Sequence, residues 1–228
     1  FRGFKPNGKI IKDIYIVGVP SIVMQSIGTV MTMAINGILS SFSTAAYTVF
    51  GLYFKLQSFV FMPVFGLNQG LLPILGYNYG ARNKRRMMSA FRSGCVIALV
   101  IMAVGMAVFL LFPQWLLGIF NASDELLEIG IPALRIICTC FLFAALGIVS
   151  STLFQAVGRG VYSLIVSLMR QLVVLVPVSW LLAQVTQQVG YVWWAFPIAE
   201  CFSLAVSIIL FLRLYRKEIQ HLETVKER

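Results

Sequence analysis

Four ionisable side chains stand inside otherwise apolar stretches: Lys55, Arg135, Arg170 and Glu200. A charge near the centre of a bilayer costs about 2.5–3.5 kcal/mol on insertion scales, so such residues face a partner or a watery cavity. Glu200 is the single acid among them and has three cations to choose from. Two readings stay open. In one, Glu200 pairs with Arg135 or Lys55 and holds a helical bundle together. In the other, it stands on the wall of a polar cavity with Lys55 and Arg135 and meets a cation or a proton. A cavity-wall ion pair satisfies both. Uncharged polar residues in the same stretches extend the set: Gln25 and Asn36, then Tyr53, Gln57, Asn68 and Gln69, then Gln171. Each is costly against lipid and joins helices when it faces inward. Tyr53, Lys55 and Gln57 are two apart, which predicts that they fan out around a helix instead of sharing a face.

The rest of the chain offers little other chemistry. Its one histidine, His221, lies in a charged tail. There is no Ser-His-Asp set, no metal-ligand spacing and no phosphate-binding glycine loop followed by Lys-Ser/Thr, so neither an enzyme nor an ATP-driven mechanism is supported. Cys95, Cys138, Cys140 and Cys201 all sit in apolar stretches and read as small packing residues. Met24, Met31, Met33, Met62, Met102, Met106 and Met169 read as packing filler too, although a promiscuous apolar pocket uses the same residue.

The elements that must position these residues follow from composition. The chain is 59% hydrophobic and 11% charged, with mean hydropathy +0.88. A water-soluble core cannot hide such a surface; helices about 20 residues long, each closing its own hydrogen bonds, suit lipid. Six spans are predicted, at about 10–39, 43–77, 87–112, 126–157, 161–185 and 191–215. The second is longer than a bilayer core, and Pro63, Gly66, Gly70 and Pro73 are its bending candidates. Gly66 and Gly70, and Gly76 and Gly80, also have the spacing that permits close helix approach. Asn121–Glu125 supplies a cap and an acidic first turn for the fourth span.

Fifteen of the eighteen Lys and Arg residues fall at one side of these spans: Arg2/Lys5/Lys9/Lys12, Arg82/Lys84/Arg85/Arg86/Arg92, Arg159, and Arg213/Arg216/Lys217/Lys226/Arg228. The loops on the other side hold none. Basic flanks stay in the cytoplasm, so both termini are expected inside. The net charge of +10 therefore reads as a topology signal and a contact for anionic headgroups, not as a nucleic-acid footprint. Trp115, Trp180, Trp193 and Trp194 all fall near outer span ends, as an interfacial belt would place them.

Residues 49–82 carry a more specific signal, above all Gly66-Leu67-Asn68-Gln69-Gly70-Leu71-Leu72-Pro73-Ile74-Leu75-Gly76-Tyr77-Asn78-Tyr79-Gly80-Ala81. With Pro132-Ala133-Leu134-Arg135-Ile136, Gln155-Ala156-Val157-Gly158-Arg159, Arg170-Gln171 ahead of Pro177, and Trp194–Glu200, this resembles the multidrug and toxic compound extrusion (MATE) family, in its prokaryotic branch of MepA-type pumps. The resemblance covers nearly the whole chain. It implies an all-α integral membrane bundle of six helices, the C-terminal lobe of a twelve-helix transporter. Residues 1–9 would then be a basic interlobe linker, 10–215 the six helices and 216–228 a cytoplasmic tail that frays. It further implies a multi-pass plasma (inner) membrane protein of a prokaryote, partnered by membrane lipids, by an N-terminal six-helix lobe and by a small cationic substrate.

Members of the family exchange Na⁺ or H⁺ for cationic amphipathic compounds by alternating access, with no other cofactor. Some relatives carry cation-binding acids on the first and fourth helices of this lobe. Here the first span has no acid within the membrane and the fourth has only Glu128, at its outer end. The coupling site is thus expected in the other lobe, or partly at Glu200. A flippase for lipid-linked saccharides and a non-transporting membrane scaffold remain the alternatives.

Cysteine labelling in intact cells tests the orientation. Single cysteines in the Gly80–Arg86 loop and at Arg159 should be shielded from impermeant reagent, and those at Asn121–Glu125 and Gln187–Gly190 labelled. A labelled Arg85 position would overturn the orientation.

Overall fold

A computed structural model describes residues 8–222, leaving out the side chains at 10, 13, 14, 16, 17, 20 and 21. The basic segment 1–7 and the end of the tail, with Lys226 and Arg228, lie outside the described residues. The helices are α1 (Gly8–Ser40), α2 (Thr44–Gly80), α3 (Lys84–Leu111), α4 (Pro113–Gly118), α5 (Asp124–Cys138), α6 (Phe141–Ala156), α7 (Gly160–Leu168), α8 (Val176–Thr186), α9 (Val189–Val192) and α10 (Ala195–Lys217). A π-helical segment, Met169–Leu175, joins α7 to α8, and a 3₁₀ turn, Ile219–His221, follows α10. Five long apolar helical stretches and the bent pair α5–α6 give six spans.

Local signals set the boundaries. Ser43 Oγ accepts from Ala46 N–H at 3.0 Å and opens α2; Asn83 Oδ1 accepts from Arg86 N–H at 3.1 Å and opens α3. Ser123 Oγ caps α5 through Leu126 N–H at 3.4 Å, with Asp124 and Glu125 at the positive end of the helix dipole. Gly158 turns the chain between α6 and α7 at φ +76°, a conformation that suits glycine.

The fourth span departs from expectation. It is two helices meeting at 50° at residues 139–140, not one rod over 126–157. A helix that stops inside a membrane strands its last carbonyls away from water. Three consecutive side chains donate to carbonyls of that last turn, two of which also accept from the backbone N–H groups of Thr139 and Cys140. Cys138 Sγ–H donates to Arg135 C=O at 3.2 Å, Thr139 Oγ1–H to Ile136 C=O at 2.7 Å and Cys140 Sγ–H to Ile137 C=O at 2.9 Å. Cys138-Thr139-Cys140 is therefore a capping device as well as packing. Arg135 stands in the last turn of α5, where the negative end of the dipole favours a cation.

The second span shows the converse. α2 runs unbroken through Pro63 and Pro73. A Cβ at Gly66 or Gly70 would meet nothing within 4 Å, so neither marks a break or a close approach within the described chain. Gly76 does, with the Ala156 carbonyl 3.5 Å from its would-be Cβ. The tightest approaches fall elsewhere: Gly94 beneath Leu71, Gly105 beneath Val60 and Gly130 beneath Leu117. They seat α3 and α5 against the α2–α4 layer, around Phe61, Phe109 and Phe141, whose rings meet edge to face at 5.2–5.3 Å. Trp115, Trp180 and Trp194 face outward as belt residues should. Trp193 does not; it is fully buried against Phe50.

At one end the basic segments converge. Glu218 accepts from Tyr79 Oη–H at 3.0 Å and from Arg159 Nε–H at 2.9 Å, while Lys84 Nζ lies 5.1 Å from the Tyr215 ring centroid. This joins the end of α2, the α6–α7 turn and the end of α10 on a single face, as the charge pattern requires. The tail start is docked, not frayed: Ile219 is fully buried.

Alanine at Gly105 would drive a methyl into the stiff β-branched Val60 and should lower stability by about 1–3 kcal/mol, whereas Gly66→Ala and Gly70→Ala should be neutral within about 0.5 kcal/mol. Reversible unfolding in mixed micelles measures both; a silent Gly105→Ala would contradict the packing described.

Candidate functional site

α10 delivers Glu200 by a chain of aromatic contacts. Phe196 precedes it by one turn on the same face. Its ring packs 5.8 Å from Phe50 and 6.1 Å from Tyr53, fixing α10 against α2. Opposite stands the π segment. Pro177 has no N–H, and in a regular helix its ring would clash with the carbonyl four residues back. The wider turn ahead of it relieves that clash, as π turns commonly do near functional sites. This segment carries Arg170 and Gln171. Arg170 Nη1–H donates to Glu200 Oε1 at 2.9 Å, with 28% and 16% of the two side chains exposed.

The pair lines an open-sided cavity of about 650 Å³ bordered by α1, α2, α6, the π segment and α10. Polar groups around it include Gln25, Thr29, Thr32, Tyr53, Gln57 and Gln171. The apolar wall is built from Met24, Met31, Met33, Phe54, Phe61 and Phe65. Gly28 on α1 makes room for Gln171, whose Oε1 would lie 3.5 Å from a Cβ there. The volume falls within the range of small-molecule sites, and a mostly apolar lining with a few convergent polar groups is their usual chemistry.

The MatE family model matches residues 20–181 of the chain. The chain belongs to the MatE family. This MatE chain is 28% identical over 211 residues to the multidrug export protein MepA of Staphylococcus haemolyticus, covering 92% of itself and 46% of that protein. It is 23% identical over 222 residues to MepA of Staphylococcus aureus strain MSSA476, covering 97% and 49%. Solved structures agree. An outward-facing multidrug resistance MATE transporter of the MOP superfamily superposes with TM-score 0.84 at 25% identity, covering 99% of this chain and 50% of that one. A Pyrococcus furiosus MOP superfamily transporter, described as having a binding pocket of reverse polarity, superposes at 0.85 with 26% identity, covering 97% and 49%. The chain thus spans about half the length of the relatives it matches. It is a multi-pass membrane protein.

Within this MatE chain the sequence-read candidates separate. Glu200, Tyr53 and Gln25 line the cavity, as do Gln57 and Gln171. Lys55 does not. It is exposed on the far face of α2, with Nζ 5.9 Å from the Phe120 ring centroid. Tyr53 and Gln57 share the cavity face because they are four apart, so only Lys55 fans away. Arg135 is exposed and outside the cavity, and no described acid pairs with it or with Lys55. The partner of Glu200 is Arg170, on a neighbouring helix, rather than Arg135 or Lys55. Asn36 is half-buried on α1 and Gln69 exposed on α2, both outside the cavity lining. Missed in the sequence were the hydroxyls of Thr29 and Thr32, the phenylalanine wall and Cys140. A hydroxyl-and-methionine stripe at helical spacing on α1 is the signal that would have found part of it.

A double-mutant cycle reads the pair. Glu200→Gln should destabilise by about 1–3 kcal/mol by stranding Arg170, and adding Arg170→Gln should recover most of that loss. Compensating changes at Arg135 or Lys55 should recover none. The check is unfolding in lipid–detergent micelles; additive losses from the two changes would show that the contact contributes nothing.

Proposed function

We propose that this chain is one six-helix lobe of a secondary active exporter of the cytoplasmic (inner) membrane, moving cationic amphipathic compounds outward by alternating access. The observation that carries the reading is the cavity: a flexible methionine and phenylalanine wall around the Arg170–Glu200 pair, carried on the spans themselves. Methionine and aromatic side chains adapt to ligands of different shape, which suits a site that takes many compounds. The one acid in that lining among the described residues, held there by Arg170 alone, gives positive charge a partner without demanding one geometry. Relatives named as multidrug export proteins support the same reading.

Alternating access needs two bundles that rock against each other around a shared site. A second lobe is therefore the proposed partner, consistent with relatives about twice as long. Exchange for Na⁺ or H⁺ is the proposed energy source. Its site lies in the second lobe, or in part at Glu200, since α1 and α5–α6 offer no acid at cavity depth among the described residues.

Transport in liposomes tests this. The chain joined to a second lobe should accumulate a fluorescent lipophilic cation inside liposomes when an outwardly directed H⁺ or Na⁺ gradient is imposed, and the chain alone should not. Gradient-independent movement of a lipid-linked saccharide, with no response to the cation, would replace the reading with the flippase one. Full transport by the monomeric chain alone would remove the need for a partner lobe.

A further inference from the structure

A monovalent cation entering the cavity meets a carboxylate that is already occupied. Arg170 Nη1 sits 2.9 Å from Glu200 Oε1, and no other acid or base lines the cavity among the described residues. We propose that Arg170 is a specificity-determining residue, a tethered counter-cation that holds Glu200 in the empty cavity and is displaced when an amphipathic cation binds. The inference rests on the cavity being the substrate site.

Three features of the geometry favour a displaceable pair over a fixed strut. The contact is single: Nη1 alone reaches the carboxylate, whereas a locked Arg–carboxylate pair uses two parallel N–H bonds. Both side chains keep part of their surface open to the cavity, so a ligand can approach the carboxylate without first unpacking a core. Arg170 is also carried near the N-terminal end of the π segment Met169–Leu175, where the register can tighten to an ordinary helical turn while the widening ahead of Pro177 stays in place. Such tightening rotates the turn and draws the guanidinium along it.

A displaced guanidinium needs acceptors. The amides of Gln25, Gln57 and Gln171 line the same cavity and make no hydrogen bond to any described side chain or backbone group. Each offers a carbonyl oxygen, so Arg170 can leave Glu200 without losing its hydrogen bonds. The site then holds two arrangements of one cation, and the incoming ligand decides between them. Charge selection follows. With Arg170 in place the cavity is electrically balanced; without it the carboxylate draws cations and the site loses what it offers to anions.

Size-matched lipophilic ions separate these effects. Tetraphenylphosphonium and tetraphenylborate would be dialysed to equilibrium against the protein in phosphatidylcholine nanodiscs, with empty nanodiscs subtracted. Arg170→Gln should bind tetraphenylphosphonium at least about tenfold more tightly than the parent, because no tethered cation competes. Its binding of tetraphenylborate should weaken. Arg170→Lys keeps the charge but not the planar fork and should gain about threefold. In Arg170→Gln/Glu200→Gln the gain should vanish. A folded Arg170→Gln protein that binds the cation no better than the parent overturns the inference. If that variant does not fold, equal or weaker binding by Arg170→Lys decides against it in the same way. Cation binding that is unchanged by Arg170→Gln but lost with Glu200→Gln leaves the cavity as the site and removes only the displacement. Absence of cation binding in every folded variant removes the cavity reading, and the displacement with it.

Discussion

The absence of water in the bilayer core is the constraint on which this structure turns. Every backbone and side-chain polar group in a span must be answered by the protein itself. Where the fourth span breaks, three successive side-chain donors reach back to carbonyls in the last turn of α5. Where Pro177 removes a donor, the helix widens ahead of it. Where an arginine and a glutamate enter the membrane, they enter facing each other. Each irregularity has its compensation within a turn or on the neighbouring helix. Among the described residues, the fully buried side-chain groups without a partner are the Asn68 amide, the Ser179 and Ser207 hydroxyls and the Trp193 indole N–H; the glutamine amides of the cavity are unpartnered too but face open space.

The candidate site follows from two of these compensations meeting. The wide turn ahead of Pro177 sets where Arg170 stands on the fifth span, and the ring of Phe196 sets where Glu200 stands on the last. Neither residue is chemically unusual. What gives them a role is that α1 and α2 stop short of filling the space before them, leaving methionines, phenylalanines and three glutamine amides around an ion pair.

Hydropathy and charge made the spans and their order legible, because both act over many residues and average out local detail. The cap within Asn121–Glu125 was readable for a related reason: Ser123 acts on backbone within three positions. Glu200 stood out as an acid in an apolar run. Its partner did not, since counting helical rise gives depth in the membrane but not direction around the axis, and Arg135 and Lys55 at suitable depth point elsewhere. The break at residues 139–140 hid behind ordinary-looking Cys-Thr-Cys, as side-chain capping of a C-terminus leaves no glycine to mark it. Gly66 and Gly70 misled in the opposite direction. Their spacing matches a packing motif, yet the close approaches are at Gly94, Gly105 and Gly130, which have no such spacing. Trp193, next to a true belt residue, is buried by the geometry of the short turn into α10.

The cluster at Glu218 bears on how the chain is assembled. Tyr79 and Glu218 are 139 residues apart, and Arg159 and Glu218 are 59 apart. Glu218 is synthesised after all six spans, so its hydrogen bonds to Tyr79 and Arg159 can form only once the last helix has been made. Folding units form in the order of synthesis, and contacts this distant in sequence close late. Until then the earlier helices hold that end by direct packing alone, as where Gly76 of α2 meets the Ala156 carbonyl of α6. In this chain the same carboxylate that ties the cytoplasmic ends together also acts as a clock: its arrival marks the moment at which the bundle is complete.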